Sequence, residues 1–169
     1  MIKTFEKDGK SPNEKGFEIL QEMIASRTEM NLIQVDTKKF IEKSGGCIRD
    51  LFYMLRTAAD SALNEERNEI IAEDFQTAYF LLKKDYEAAI AEYREEVPKK
   101  NGESEIIIHS PKEFYADLAA LAKSTDKKPD NTQRVLILRQ NLSILGYNGE
   151  GWCEVHPILQ DTLREKGLI

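Results

Sequence analysis

The residues best suited to chemistry lie between Ser44 and Ala62. Gly45 and Gly46 open the stretch, and Arg49 follows within one helical turn. Glycine reaches φ > 0 at no steric cost, so the pair fits a helix end, a tight turn and a new helix start. An arginine in the first turn of that new helix stands beside free backbone N–H groups. There it has two readings: an anion held by a charged, bidentate fork, or an exposed structural arginine with no ligand. The chain's other reactive residues form no comparable set. His109 and His156 are its only histidines and have no serine or cysteine nucleophile at an informative spacing. Both are expected at helix or strand ends. Cys47, close to a helix start, has two readings: a thiol of lowered pKa, or a small buried apolar side chain. Cys47 and Cys153 lack metal-ligand or redox spacing, and free thiols in a reducing cytoplasm are expected. Trp152, the single tryptophan, reads as the core of a hairpin.

Helices must position these residues. Leu51, Leu55, Ala58 and Ala62 repeat at helical steps, which predicts a third helix from about Cys47 to Asn64. Ser11-Pro12-Asn13-Glu14 is a capping-box start for a first helix ending near Glu29. Asp36 caps a short second helix, from Thr37 to Lys43. A fourth helix is predicted from about Glu73 to Arg94, with Phe75, Ala78, Tyr79, Leu82, Tyr86, Ala89 and Tyr93 as its stripe. A bend is expected at Lys83-Lys84-Asp85. Pro98-Lys99-Lys100-Asn101-Gly102 reads as a linker. It divides the chain into residues 1–97 and 98–169. Beyond it come a strand at Ile106-Ile107-Ile108 and a helix capped by Ser110-Pro111-Lys112-Glu113. Another helix starts at Asn131, a hairpin turns at Asn148-Gly149, and a last helix follows His156-Pro157.

Composition narrows the function. Apolar residues are 41% and charged residues 32%, an ordinary globular balance. No run is long enough to span a membrane, and no signal-peptide pattern follows Met1. Residues 1–98 carry 14 basic and 20 acidic side chains, a net −6 that does not invite nucleic acid, whereas the rest balances at 10 and 10. There is no G-x-x-x-x-G-K-[ST] phosphate loop anywhere.

The run Gly45-Gly46-x-x-Arg49-Asp50-Leu51, with Leu55 and Ala58-Ala59, resembles the sensor-2 segment of AAA+ ATPases. The likeness is closest to the origin-recognition or initiator-like branch and to STAND-type ATPases. It extends over roughly the first 95 residues, from Asp8-Gly9-Lys10 through the Glu14 to Arg27 helix to Ile71-Ala72-Glu73-Asp74. The remainder resembles, more weakly, the winged-helix end of such proteins. The resemblance implies a mainly α chain: a four-helix lid bundle, then a small winged-helix-like module with one β hairpin. It implies that Arg49 contacts the terminal phosphates of ATP, held with Mg by an N-terminal nucleotide-binding subdomain of the same protein. Gly45 and Gly46 shape that site. The chain would then be the C-terminal piece of a larger cytoplasmic ATPase, without catalytic residues or turnover of its own.

In the second module the helix at Asn131 takes the recognition position, and the end of the fourth helix, about Tyr86 to Arg94, supplies the module's first helix. Lys123, Lys127, Lys128, Arg134 and Arg139 stand against Asp126 and Asp130, a local +3. Gln133, Arg134, Ile137 and Gln140 are expected on its exposed side, with Asn148 at the wing tip. Arg and Gln can contact phosphates and base edges. Glu150 and Glu154 on the wing oppose phosphate, and an exposed Ile137 suits a protein contact. Duplex DNA and a protein partner both remain open. A free-standing helical or winged-helix adaptor, or a DNA-binding regulator without nucleotide, is the alternative. An enzyme in its own right has the least support.

Overall fold

The computed structural model describes residues 1–8, 11–99, 103–147 and 151–169. They form a mainly helical chain with two small antiparallel hairpins. In order these are α1 (Glu14–Ala25), α2 (Thr37–Ser44), α3 (Ile48–Asn64), α4 (Ala72–Ala88), β1 (Tyr93–Pro98), β2 (Ser104–His109), α5 (Pro111–Lys123), α6 (Gln133–Gln140), β3 (Ile144–Gly146), β4 (Cys153–Val155) and α7 (Pro157–Glu165). No helix among the described residues is long and apolar enough to cross a membrane.

Local signals set most helix starts. Asp36 accepts from the Lys38 N–H at the start of α2, and Ser110 with Glu113 forms a capping box on α5. Gly45 ends α2 in the left-handed region, at φ 58°. The start of α1 differs from expectation. Asn13 is its cap, accepting from Gly16 N–H, while Ser11 is drawn into a turn by the Asp8 carboxylate. The helix stops at Ala25, short of Glu29.

The larger correction concerns α4. It runs unbroken through Lys83-Lys84-Asp85 but ends at Ala88, and Tyr93 to Pro98 is strand, not helix. Tyr93 pairs with His109 and Val97 with Glu105 in an antiparallel ladder. There are thus two hairpins where one was expected. The segment from Tyr86 to Arg94 supplies no helix to the C-terminal half. The boundary expected between residues 97 and 98 falls inside β1, and the β1–β2 ladder crosses it. Lys100, Asn101 and Gly102 of the expected linker lie outside the described residues.

The two halves share one core. Phe40, Met54, Phe75 and Ala78 belong to the same buried cluster as Phe114, Leu138, Ile158 and Leu163. Polar ties reinforce the seam. Asp161 of α7 accepts from Tyr79 Oη at 2.8 Å and pairs with Lys43, while Thr162 Oγ1 donates to Glu87 at 2.8 Å. A smaller cluster of Leu145, Tyr147 and Trp152 closes the β3–β4 hairpin, so Trp152 is core as expected.

Candidate functional site

The start of α3 is built by close packing. Gly45 (φ 58°) and Gly46 (φ 78°) both take conformations that favour glycine. A Cβ on Gly46 would stand 1.6 Å from the Ile2 carbonyl oxygen, whose own residue donates its N–H to Gly46 O at 3.1 Å. A Cβ on Gly45 would meet Leu145 Cδ1 at 2.6 Å and Pro157 Cδ at 2.7 Å. Both glycines are covered by protein. Their part in the site is to let the N-terminal segment, the β3–β4 hairpin and α7 converge on the turn that aims α3.

Arg49 is the exposed member of the set, its side chain 67% accessible. Its Nε donates to Asp50 Oδ1 at 2.9 Å. No Nη bond is formed with the described residues, leaving the fork's outer face open. The guanidinium borders an open cleft of ≈320 Å³, with Tyr53, Leu82, Asp85 and Tyr86 from α3 and α4 and Asn141 from the end of α6.

Behind Arg49 lies a buried polar cluster. Asp50 is 1% exposed and accepts from Tyr86 Oη at 2.6 Å. His156 Nε2 stands 3.3 Å from the same Asp50 oxygen, Oδ2, and the imidazole stacks on the Tyr86 ring with centroids 4.3 Å apart. His156 caps α7: its Nδ1 accepts from the Ile158 N–H at 3.3 Å. That bond leaves Nε2 as the protonated nitrogen of a neutral ring, close to Asp50 but in hydrogen-bond geometry with none of the described residues. Burial holds the imidazole below its usual range. Burial also disfavours the Asp50 carboxylate, but the His156 ring nitrogen 3.3 Å away and the bonds from Tyr86 and Arg49 overcome it and lower its pKa to about 2. A fixed anion thus sits directly behind the exposed cation. Burial likewise pushes the Cys47 thiol up, so the buried apolar reading of Cys47 holds and the activated one does not.

The cations expected around α6 behave differently. Lys127 is buried in a left-handed conformation (φ 55°), with Nζ 3.0 Å from Glu154 Oε2 and 3.0 Å from the Ala122 carbonyl. It is a structural pin, and Glu154 is its counter-ion, not an exposed wing charge. Arg134 donates Nε to Asp117 at 2.7 Å and lies 3.5 Å from Glu113. Lys128, Gln133 and Gln140 are exposed. Ile137 packs half-buried against the core, and Leu136 takes the exposed position instead. Asn148, with Gly149 and Glu150, lies outside the described residues.

The exposed first-turn position of Arg49 agrees with the sequence, whereas the cluster of Asp50, Tyr86 and His156 behind it was not anticipated. One signal was available: an aspartate in the first turn, one helical step before the core residue Met54. The described residues contain no group of histidine, cysteine and carboxylate side chains able to hold a metal ion. No family model, curated protein or solved structure matches the chain.

Proposed function

We propose that this chain is the nucleotide-sensing lid and C-terminal partner-binding region of a P-loop ATPase. The observation that carries the reading is Arg49: an exposed guanidinium on a helix's first turn, braced by a buried ionised carboxylate, with its Nη face open. This geometry fits a phosphate. One donor is anchored, the others remain for bidentate contact, and the charge persists at any working pH. ATP and Mg would be held by a phosphate loop in a nucleotide-binding subdomain preceding this chain. Arg49 would add charge to the terminal phosphates when the lid closes. Alone, the chain would not turn over ATP, because positioning and charge neutralisation come mainly from that loop and its metal.

For the C-terminal half a protein partner is favoured over duplex DNA. Lys127 and Arg134 are neutralised by carboxylates, and Leu136 is exposed on α6. Lys128, Gln133 and Gln140 then rim a protein contact. A free-standing adaptor or DNA-binding regulator without nucleotide is the competing reading.

The test begins with the open reading frame before Met1, where this reading requires a phosphate loop, and continues on the parent protein that carries it. Arg49→Ala should weaken ATP binding or turnover at least about tenfold, the loss of one charge-assisted phosphate contact, with Arg49→Lys intermediate. An Arg49→Ala protein with unchanged ATP affinity and turnover excludes the sensor assignment, and a parent protein with no phosphate loop and no ATP binding leaves the adaptor.

A further inference from the structure

Given Arg49 as a phosphate reader, we propose that the β3–β4 hairpin and the start of α7 control its aim through Asp50, so that the packing of the C-terminal half sets nucleotide affinity. His156 and Tyr147 are the positioning residues. Three contacts carry this, all converging on the turn and first residues of α3. His156, the cap of α7, stacks on the Tyr86 ring and holds Nε2 3.3 Å from the same Asp50 oxygen that accepts from Tyr86. Tyr147, just after β3, donates Oη to the Gly45 carbonyl at 3.3 Å. Leu145 of β3 and Pro157 of α7 press on the face of Gly45 that carries no side chain.

Each contact acts on the aim of one side chain. Asp50 Oδ1 holds Arg49 Nε, while Oδ2 is held by Tyr86 and faces His156. A carboxylate pinned at one oxygen presents the other in a fixed direction. If α7 or the hairpin shifts, Oδ2 loses its place and Arg49 loses its brace. Asn141, at the end of α6, shares the cleft with Arg49. The C-terminal half therefore both walls the nucleotide-facing cleft and anchors the residue that reads it. If both sites bias the placement of these elements, their coupling is reciprocal, and it is measurable as a coupling free energy.

The experiment is a double-mutant cycle on ATP affinity in the full-length protein, with a spectroscopic control on the 169-residue chain. His156→Asn keeps an oxygen to cap Ile158 N–H but removes the ring that stacks on Tyr86 and its nitrogen beside Asp50. Tyr147→Phe removes one hydroxyl and preserves the ring. His156→Asn should weaken ATP affinity about fivefold when Arg49 is present, a modest coupling between sites, and under about twofold in the Arg49→Ala background. Tyr147→Phe, the milder variant, should move affinity in the same direction and likewise only with Arg49. In the chain labelled with ¹⁵N-arginine, the Arg49 Nε–H signal, identified by its absence in Arg49→Lys, should shift and exchange faster in both variants while circular dichroism stays unchanged. Equal losses of ATP affinity in both backgrounds, or an Nε–H signal unmoved by either variant, overturns the coupling while leaving Arg49 as a sensor. If Arg49→Ala itself leaves ATP affinity unchanged, the sensor reading and its control by the hairpin both fall.

Discussion

Removing the Asp50 carboxylate tests whether the buried cluster stabilises the fold as well as aiming Arg49. In Asp50→Ala, the Tyr86 hydroxyl loses its acceptor and His156 Nε2 loses the carboxylate 3.3 Å away, in residues 4% and 0% exposed. Each buried donor left unpaired costs about 1–3 kcal/mol, whereas the exposed Arg49 finds water at little cost. The desolvated charge of Asp50 disappears with it, which offsets part of the loss and puts the net near about 3 kcal/mol. Linkage gives an independent figure. The folded pKa is about 2 and the unfolded value near 3.9, so ionisation contributes about 2–3 kcal/mol at neutral pH. Because the folded pKa is depressed, that contribution is full well above pH 4 and is lost as pH falls toward 2. Urea denaturation at pH 7 should show the loss, and thermal unfolding a drop of about 6–12 °C for a chain of this size. Asp50→Asn, isosteric but uncharged, should fall between. The gap between wild type and Asp50→Ala should narrow between pH 4 and pH 2. A cost below about 1 kcal/mol at pH 7, or a gap independent of pH, would refute the reasoning.

Two further outcomes follow from the same charges. His156 is buried neutral with its pKa lowered, so the unfolded chain binds a proton the folded one refuses as pH drops below about 6.5. Stability should fall on acidification through that point, by at most about 1.4 kcal/mol per pH unit from this residue, and His156→Asn should flatten the dependence in urea titrations. Asp74 accepts from Arg67 Nη1 and Nη2 at 2.8 and 2.9 Å, from Ser61 Oγ at 2.8 Å and from Ile71 N–H at 2.9 Å. Asp74→Ala should destabilise the chain by about 3 kcal/mol in the same assay, and a loss under about 1 would mean that water replaces these bonds.

Elements governed by neighbours in sequence were legible; those governed by distant partners were not. Asp36, Gly45 and the Ser110–Glu113 box act within a turn or two, and α2, α3 and α5 begin or end where they indicate. Leu145, Tyr147 and Trp152 flank a hairpin whose turn signal is equally local. β1 was hidden because Tyr86, Ala89 and Tyr93 continue the apolar stripe of α4. What makes Tyr93 to Pro98 a strand is the ladder to β2, a tertiary contact that overrides helical spacing. Lys127 was misread for a similar reason. Its charge is visible in the sequence, but its burial depends on Glu154, far along the chain on β4. Arg49 was legible from the Gly45–Gly46 turn, whereas the brace behind it joins α3, α4 and α7 and leaves no periodic trace.

Asp50 and Asp74 occupy the same place, the third residue of α3 and of α4, and both are 1% exposed with a pKa near 2. They do different work. Asp74 reaches back to the N–H of its own cap, Ile71, and takes a two-pronged bond from Arg67, so its carboxylate closes a local turn. At α3 the equivalent N–H, of Cys47, is already bound to the Ser44 carbonyl at 2.9 Å, because the Gly45–Gly46 turn folds the chain back on α2. The Asp50 carboxylate is therefore not needed as a cap. It turns inward to Tyr86 and His156 and outward to Arg49. The two glycines thus do more than permit a tight turn: by satisfying the cap through the backbone, they release an anion to connect the C-terminal half with the exposed arginine.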